Sequence, residues 1–310
     1  MNFSKAIVTG SEGFIGGHLV DKLLSMGVEV LGIDDMSTGL TSTYESHIKS
    51  KNYRGKLIPI TDNRISGIFS NFKPDVVFHL AAKSGVTPSV LDPTFCDFTN
   101  INGSVNLLES ARDSGVKRFI FSSSSSIYGG SENLPTSESE TPNPKSPYAL
   151  QKLTVENYCK LFHKLYGLES ISLRYFNIFG PRQRSDSAYA AVIAAFADAE
   201  RNNKSPKIFG TGDQFRDFTY VKSVVRANIL AASSENILSG NVVNIGCGGK
   251  TTVKNLCSLI CSKPPEYLEE RPGDVFCSQA DISTARDLIN YSPGWTLQQG
   301  LSDTLDWYFR

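Results

Sequence analysis

The chain has 310 residues, of which 40% are hydrophobic and 20% are charged, and its 31 lysines and arginines equal its 31 aspartates and glutamates. This length allows one large domain or two packed ones, and the zero formal net charge offers no basic surface to nucleic acid or to an acidic membrane. No stretch approaches the roughly 18 consecutive apolar residues of a membrane helix, and MNFSKAIVTG lacks the features of a signal peptide. Six cysteines without a CxxC pair favour reduced thiols in a cytoplasmic protein over a disulfide framework or a metal site.

The first half of the chain alternates between predicted strands and predicted helices. Two segments, FIGGHLVDKLLSMG and NINGSVNLLESARDSG, carry apolar residues at helical spacing with a glycine at the end and are predicted to be helices. Five runs rich in Val, Ile and Phe predict buried strands: Ala6–Gly10, Val28–Asp34, Lys56–Ile60, Asp75–Ala82 and Arg118–Ser124. The alternation indicates an α/β fold with a doubly wound, Rossmann-type parallel sheet, whose ligands bind at the carboxyl ends of the strands.

The segment TGSEGFIGGHLV opens the first predicted helix directly after the first strand. Gly10, Gly13 and Gly16 have GxxGxxG spacing, which allows a tight turn and brings a pyrophosphate onto the amino-terminal N–H groups of the helix. A glycine triplet alone is also compatible with an ordinary turn, but the second strand ends in Asp34 and Asp35, where carboxylates bind ribose hydroxyl groups. The following segment, MSTGLTSTYESH, holds no lysine or arginine for a 2′-phosphate, which favours NAD over NADP.

A run of five serines lies in FSSSSSIYGG, Phe121–Gly130, after the fifth predicted strand. Alone it is compatible with a flexible linker, but the carboxyl end of a parallel strand is also where a catalytic hydroxyl belongs. Downstream, Tyr148 and Lys152 are spaced i, i+4 on a helix that Ser146 and Pro147 are predicted to begin. Since a phenol has a pKa near ~10, it acts as a base at neutral pH only beside a positive charge, from Lys152 or from the nicotinium ring of NAD.

The same predicted helix carries a row of leucines on another face. We predict that this row is the packing stripe of the helix, because apolar residues at helical spacing form the buried stripe of a surface helix. The row consists of Leu150, Leu153, Leu161 and Leu165.

After about residue 180 the pattern loosens into shorter segments and loops. We predict an NAD-binding domain with the catalytic residues over residues 1–180 and a smaller C-terminal substrate-binding domain over residues 181–310.

Five motifs follow one another along nearly the whole chain: GxxGxxG, HLAA (His79–Ala82), SSSSSIYG, YxxxK and LRYFNIFGPRQ (Leu173–Gln183). Together they resemble the extended short-chain dehydrogenase/reductase family that acts on nucleotide-diphosphate sugars. Within it, the chain is most similar to the 4-epimerases, particularly those that interconvert UDP-N-acetylglucosamine and UDP-N-acetylgalactosamine. The resemblance implies a tightly bound NAD that is regenerated in each catalytic cycle.

The resemblance places the catalytic hydroxyl four residues before Tyr128, at Ser124, beside Tyr148 and Lys152. It implies that the Tyr148 phenolate removes the proton of the sugar's carbon-4 hydroxyl, while Ser124 hydrogen-bonds the same oxygen and hydride passes to NAD. The 4-keto sugar then turns over and takes the hydride back on its other face.

The two positions after the catalytic hydroxyl discriminate between reactions. Related dehydratases and decarboxylases have an acidic residue just after this hydroxyl, whereas this chain has Ser125 and Ser126. A serine cannot assist the loss of water or of carbon dioxide, so the sequence favours epimerisation.

The resemblance also implies two sets of binding residues. Besides the three glycines and the two aspartates, those expected at NAD are Phe14, Ile15, Asp62, Asn63, Leu80, Ala81, Ala82, Asn100, Tyr148, Lys152 and Tyr175. Those expected at the UDP-sugar are Lys83, Ser124, Ser126, Tyr148, Asn177, Ala191, Val192, Ile208, Arg216, Arg271, Asp274 and Ser278. Arg216, and Arg271 with Asp274, resemble a clamp for uridine diphosphate, since the guanidinium fork matches phosphate oxygens. Either arginine is also compatible with an ordinary surface charge.

Substrate size depends, by the same resemblance, on Ser278, three residues before Asp281 in GDVFCSQAD. Relatives restricted to plain hexoses have a bulky tyrosine there, and a serine leaves room for an N-acetyl group.

Two alternatives and one assembly question remain open in the sequence. A UDP-glucuronate 4-epimerase has a similar serine run, although Asn177 in LRYFNIFG favours the hexose and N-acetylhexosamine enzymes. A non-catalytic NAD-binding sensor is the other alternative, and the intact serine, tyrosine and lysine argue against it. The family commonly forms a homodimer through two helices of each subunit, here near Asn100–Ser114 and Pro147–Tyr166, but their apolar stripes are equally compatible with packing on the sheet.

Overall fold

The computed structural model describes residues 3–184, 192–270 and 276–310. Its strands are β1 Lys5–Thr9, β2 Glu29–Asp34, β3 Tyr53–Leu57, β4 Val76–His79, β5 Arg118–Ser124, β6 Glu169–Tyr175, β7 Ile178–Phe179, β8 Lys207–Phe209, β9 Phe215–Arg216, β10 Thr219–Tyr220, β11 Ser239–Ile245, β12 Thr251–Thr252 and β13 Glu266–Leu268. Its α-helices are α1 Phe14–Ser25, α2 Thr41–His47, α3 Ile65–Phe72, α4 Val86–Leu91, α5 Pro93–Asp97, α6 Ser104–Asp113, α7 Pro147–Tyr166, α8 Val192–Arg201, α9 Val221–Ser233, α10 Val253–Ile260, α11 Ser283–Ile289 and α12 Leu297–Tyr308. A π-helical segment, Phe98–Gly103, precedes α6, and a 3₁₀ turn, Ser125–Tyr128, follows β5.

Seven strands form one sheet in the order β11-β6-β5-β4-β1-β2-β3, and all of their pairings are parallel. Parallel neighbours require crossover connections, and helices supply them here. The chain starts at the central strand β1, builds outward to β3, and then builds in the other direction from β4 to β11. The order reverses between β1 and β4, and this switch point is where a doubly wound sheet opens a crevice for ligands. The α/β, Rossmann-type fold predicted from the sequence is therefore confirmed.

Both faces of the sheet are buried, because successive side chains of a strand point to opposite sides. In β1, Ala6 and Val8 belong to the cluster that contains Leu19 of α1. Between them, Ile7 belongs to the opposite cluster with Phe69 of α3. Full burial of one such large side chain is worth ~1.5–3 kcal/mol, so the two clusters fix the strand register strongly.

The third predicted strand, Lys56–Ile60, was wrong in its bounds, because the strand is Tyr53–Leu57. Its ladder with β2 begins at Tyr53, and Leu57 ends it with a half-exposed side chain. The apolar residues 58–60 therefore follow the strand instead of forming it, and Pro59 has no N–H with which to continue a ladder. The fourth predicted strand is also shorter than expected and ends at His79.

Helix α7 begins as predicted, with the Ser146 side chain accepting a hydrogen bond from Ala149 N at 3.2 Å and Pro147 in the first turn. The predicted leucine packing stripe was wrong. Leu150, Leu161 and Leu165 are 54%, 45% and 57% exposed in this chain. The face turned to the protein instead carries Ala149, Gln151, Lys152, Val155, Glu156, Cys159 and Phe162. The buried face of α7 is thus the one that carries Lys152. It includes buried polar side chains, which a search for apolar residues at helical spacing does not detect.

The part of the chain after residue 180 contributes to both regions of the molecule. Strand β11 returns to the large sheet beside β6, and α9 packs against α1. The remaining segments form short two-stranded pairs and a separate core around Phe179, Phe196 and Ile208. The division at residue 180 stays a prediction. Within the described ranges, no helix is long and apolar enough to cross a membrane.

Candidate active site

A cleft of about 650 Å³ opens at the carboxyl ends of the central strands, as the doubly wound sheet predicts. Fourteen predicted site residues line it: Gly10, Gly13, Phe14, Ile15, Gly16, Asp34, Asp35, Leu80, Ala81, Ala82, Lys83, Tyr148, Lys152 and Tyr175. The lining also includes residues that the sequence did not single out as ligands, namely Ile33, Ser37, Thr38, Ile58, Pro59, Ile60, Ser84, Gly85, Pro88, Thr99, Ser122, Ser123, Arg182, Gln183 and Arg184. Some of these additional residues lie within the named motifs, as Ser122 and Gln183 do, whereas others, such as Ile58 and Thr99, come from segments without a recognisable motif.

The glycine-rich turn is packed too closely for any side chain. Gly10 has φ +68°, and a Cβ there would lie 2.9 Å from Ala81 N. A Cβ on Gly16 would lie 1.9 Å from the carbonyl oxygen of Gly10. Within the described part of the chain no side chain caps α1 at Gly13, so the first N–H groups of the helix remain to bind a pyrophosphate. This cradle fits a dinucleotide.

The two aspartates at the end of β2 are held in different ways. Asp34 accepts hydrogen bonds from Glu12 N at 2.9 Å and from Met36 N at 2.7 Å, and burial raises its pKa despite them. Asp35 accepts from Lys83 Nζ at 2.8 Å and from Ser37 Oγ, and these donors lower its pKa against the effect of burial. Lys83, expected at the sugar, thus has its ammonium group beside Asp35, one of the two carboxylates predicted to bind the ribose. Its charge is paired there, and the two carboxylates disfavour a 2′-phosphate.

The predicted catalytic groups are brought together by β5 and the first turns of α7. Ser124 is the last residue of β5, and its side chain lies close enough to the Tyr148 phenol to lower the pKa of that phenol in part. Ser124 Oγ also accepts hydrogen bonds from the N–H of Ser126 at 3.2 Å and from its hydroxyl at 2.9 Å. Lys152 lies one turn further along α7, with its Nζ 5.7 Å from the centre of the Tyr148 ring. The phenol and the ammonium group line the cleft, and the Ser124 hydroxyl lies beside the phenol outside the cleft lining.

Burial dominates the ionisation of these groups. It raises the pKa of Tyr148 to about 12, although the hydrogen bond with Ser124 lowers it in part. It lowers the pKa of Lys152 to about 7 against the attraction of Glu156. The sequence suggested two sources of positive charge that could lower the pKa of Tyr148. The first, Lys152, does not offset the rise in this pKa that burial causes. The nicotinium ring of bound NAD is the remaining source.

Ser122 and Ser123 acquire contacts that the sequence left open. The Ser122 carbonyl accepts a hydrogen bond from Lys152 Nζ at 2.7 Å, and the Ser122 hydroxyl lies 3.0 Å from the Tyr175 hydroxyl. Ser123 Oγ donates to Glu156 Oε1 at 2.6 Å. The sequence analysis did not identify Glu156 as a residue near the site. Its i, i+4 spacing from Lys152, which puts both residues on one face of α7, could have indicated it.

Three predicted NAD residues lie outside the cleft lining. Asp62 pairs with Arg64, with Nη2 to Oδ2 at 2.6 Å, and Asn63 is exposed. Asn100 is buried in the π-helical segment, where its side-chain amide accepts from Lys83 N at 2.8 Å and donates to Gln151 Oε1 at 2.7 Å. It fixes the segment after β4 that forms one cleft wall, and its contact with NAD stays a prediction.

Five predicted sugar-binding residues lie outside the cleft lining: Asn177, Val192, Ile208, Arg216 and Ser278. Asn177, in the left-handed region with φ +34°, donates from Nδ2 to Ser278 Oγ at 3.2 Å. Ile208 and Val192 pack in one apolar cluster. Arg216, in β9, donates to the Phe276 carbonyl at 2.9 Å. Ala191, Arg271 and Asp274 lie outside the described residues.

Comparisons with known proteins identify the same family that the sequence motifs indicated. The sequence matches the model of the NAD dependent epimerase/dehydratase family over residues 6–246. It is 36% identical to the UDP-glucose 4-epimerase of Mycolicibacterium smegmatis, over 98% of each chain. The structure resembles the UDP-N-acetylglucosamine 4-epimerase from Methanobrevibacter ruminantium, solved with UDP-N-acetylmuramic acid, with a TM-score of 0.94, 40% identity and 99% coverage of each chain. It also resembles the UDP-glucuronic acid 4-epimerase from Bacillus cereus, solved with UDP-glucuronic acid and NAD, with a TM-score of 0.90, 32% identity and 98% coverage of each chain.

Proposed function

The chain belongs to the NAD-dependent epimerase/dehydratase family, and on that premise we propose that it epimerises UDP-sugars at carbon 4 through a 4-keto intermediate. NAD is its cofactor. The observation that carries the proposal is the proximity of the Ser124 hydroxyl to the Tyr148 phenol, which lines a cleft that fits a dinucleotide. A catalytic hydroxyl, a base and a redox cofactor are the groups that reversible oxidation of an alcohol requires.

In this mechanism Tyr148 removes the proton of the carbon-4 hydroxyl, and Ser124 hydrogen-bonds the same oxygen. The cleft residues would hold NAD, and the cofactor would supply reversible hydride transfer at carbon 4. Lys152, held by the Ser122 carbonyl at 2.7 Å, lies one turn along α7 from the phenol, where it would contact bound NAD. Ser125 and Ser126, in the 3₁₀ turn after β5, provide no carboxyl group for elimination or decarboxylation, which supports epimerisation over those reactions.

We further propose that UDP-N-acetylhexosamines are among the substrates. Ser278 occupies the position that a tyrosine fills in relatives restricted to plain hexoses, and its hydroxyl accepts a hydrogen bond from Asn177 Nδ2 at 3.2 Å. A tyrosine ring at this position would extend well beyond a serine hydroxyl into the space beside Asn177. The small side chain therefore supports a pocket that admits a 2-acetamido group.

The test is product analysis with purified protein, a panel of UDP-sugars and no added NAD. We expect conversion of UDP-N-acetylglucosamine to its 4-epimer, and we expect Ser278→Tyr to suppress this activity while UDP-glucose turnover is spared. Tyr148→Phe is the control, since it should retain NAD and lose turnover of every substrate. No 4-epimer from UDP-N-acetylglucosamine alongside good turnover of UDP-glucose would refute the acetamido pocket.

UDP-glucuronate is the second candidate substrate, and the similarity to the Bacillus cereus enzyme is the observation that favours it. The same panel of UDP-sugars distinguishes the two candidates. If UDP-glucuronate is the only sugar that is turned over, it is the substrate. Wild-type protein that holds NAD and leaves every nucleotide sugar unchanged would favour the non-catalytic sensor.

We also propose a homodimer formed through α7 and the segment before α6. Large apolar side chains are exposed on both: Val90, Leu91, Phe95, Phe98, Leu150, Leu161 and Leu165. Because α4 and α5 contact α7, these side chains lie on neighbouring elements. A patch of this kind on a monomer is typical of a protein interface.

A further inference from the structure

A carboxylate lies within the glycine-rich turn that would cradle the cofactor. Glu12, between Gly10 and Gly13, has a side chain that is 1% exposed. A buried carboxylate beside the binding site of an anionic pyrophosphate is costly unless positive charge and hydrogen bonds offset it. The structure therefore has to compensate this charge in order to keep the turn in place.

The compensation comes from a chain of alternating charges that we call the His47 relay, made of Glu12, His47, Asp21 and Arg182. His47 Nδ1 donates to Glu12 Oε2 at 3.0 Å, and His47 Nε2 donates to Asp21 Oδ1 at 3.2 Å. The other oxygen of Asp21 pairs with Arg182 Nη2 at 2.8 Å. The hydroxyl groups of Ser11 and Tyr53 donate to the remaining oxygen of Glu12. His47 thus carries the only positive charge among the direct partners described for Glu12.

The relay connects directly to groups that shape the cofactor cleft. The backbone N–H of Glu12 donates to Asp34 Oδ2 at 2.9 Å, so the position of Glu12 sets the carboxylate that faces the ribose. The backbone carbonyl of Glu12 accepts from Leu40 N, at the start of α2, at 3.0 Å. At its other end, Arg182 lines the cleft from the loop after β7. One imidazole therefore ties the glycine-rich turn to α1 and, through Asp21, to Arg182 in the cleft lining.

We propose that His47 is a positioning residue for NAD, whose imidazolium holds Glu12 and Asp21 together so that the glycine-rich turn and Asp34 keep their binding geometry. The inference rests on the placement of NAD in this cleft and is independent of which sugar is turned over. It makes NAD affinity dependent on the protonation of a group that does not touch the cofactor.

The ionisation of His47 follows from the groups packed around it. Burial alone lowers its pKa, but the hydrogen bonds and charges of Asp21 and Glu12 outweigh burial and raise the pKa to about 9. The facing groups are Glu12 from the turn, Asp21 from α1 and Tyr53 from β3, whose ring centre lies 5.1 Å from that of His47. Arg182 faces Asp21 from beyond. His47 is thus protonated at neutral pH and loses its proton as pH rises through about 9, which leaves the Glu12 carboxylate without its cation.

The experiment measures the dissociation constant of NAD by equilibrium dialysis between about pH 7.5 and about pH 9.5. We expect the wild type to lose about threefold in affinity over this range, which is the part of a tenfold change that is complete by about pH 9.5 when NAD binding raises the pKa of His47 by about one unit from about 9. His47→Gln should bind NAD weakly at every pH, with a flat profile. The double variant Glu12→Gln/His47→Gln should regain affinity at pH 7.5 and stay flat, because it removes the uncompensated carboxylate. A merely structural role would not be rescued by removing a second charge.

The matched control is His163→Gln, in the last turn of α7, which should keep the wild-type profile. Circular dichroism at each pH verifies folding. If His47→Gln does not fold, the pH profile of the wild type and the NAD affinity of the double variant still test the proposed role of His47. A flat wild-type profile, or a His47→Gln profile as steep as the wild type, overturns the inference. Wild-type protein that binds no NAD at any pH overturns the proposed NAD site, and the inference with it.

Discussion

Three consecutive serines at the end of β5 make three different sets of contacts, and strand geometry explains why. Successive side chains of a strand point to opposite faces. The Ser122 hydroxyl lies beside Tyr175 on one face, whereas Ser123 Oγ reaches Glu156 of α7 on the other. Ser124, where the strand gives way to the 3₁₀ turn, meets the Tyr148 phenol. The repetition in the sequence therefore conceals three distinct environments.

Glu156 is the residue whose substitution should cost most among these neighbours. It is fully buried and forms a two-point ion pair with Arg174, at 2.9 and 2.7 Å. We predict that Glu156→Gln lowers the free energy of unfolding by ~3–5 kcal/mol, because removing one partner leaves a buried charge unpaired. Ser123→Ala, which removes one hydrogen bond to the same carboxylate, should cost only ~1 kcal/mol. Urea denaturation compares the two, and equal losses would contradict the prediction.

At the scale of elements, the sequence predicted the strands and helices that are defined by local signals. Strand β5 was predicted with its observed bounds, and α7 starts at its predicted cap because Ser146 and Pro147 act within one turn. The errors occur where contacts with neighbouring elements determine the bounds of a strand or the buried face of a helix. Strand β3 is set by its ladder with β2, and the buried face of α7 is set by the polar groups that it presents to β5 and β6. Neither constraint is visible within a single segment.

The exposed leucines of α7 lead to a prediction about assembly. We predict that Leu161→Lys changes the protein from a dimer to a monomer in light-scattering chromatography, since a charge at the centre of an apolar interface loses its hydration without gaining a partner. Ile237→Lys is the matched control, because Ile237 is 74% exposed and lies outside α7 and the segment before α6. It should leave the oligomeric state unchanged. A wild-type protein that elutes as a monomer would rule out the proposed interface.

At the scale of the whole molecule, the cleft draws its residues from segments that are far apart in the sequence. The motifs identified the glycine-rich turn, the strand ends and the tyrosine–lysine pair, because each carries its chemistry in a few adjacent positions. The His47 relay could not be found in this way. Its members Glu12 and Arg182 are separated by most of the sheet in chain order, and only the completed fold brings their partners within hydrogen-bond distance. Long-range charge pairs of this kind need the tertiary structure.

The two buried cations of the site should give the protein opposite pH dependences of stability. The pKa of His47 is raised to about 9 from an unfolded value near 6.5, so its contribution is complete below about pH 6.5 and is lost as pH rises through about 9. The pKa of Lys152 is lowered to about 7 from 10.5, so its contribution is present above about pH 10.5 and is lost as pH falls through about 7.

We therefore predict opposite slopes when each group is removed from protein freed of NAD. The stability of His47→Gln relative to the wild type should be lowest near pH 6.5 and should recover by on the order of 2 kcal/mol as pH rises past about 9. Lys152→Met should be most stable relative to the wild type near pH 7 and should lose that advantage toward pH 10. Urea denaturation at intervals from about pH 6 to about pH 10 measures both differences. Slopes of the same sign would mean that the charges around His47 do not hold its proton in the folded protein.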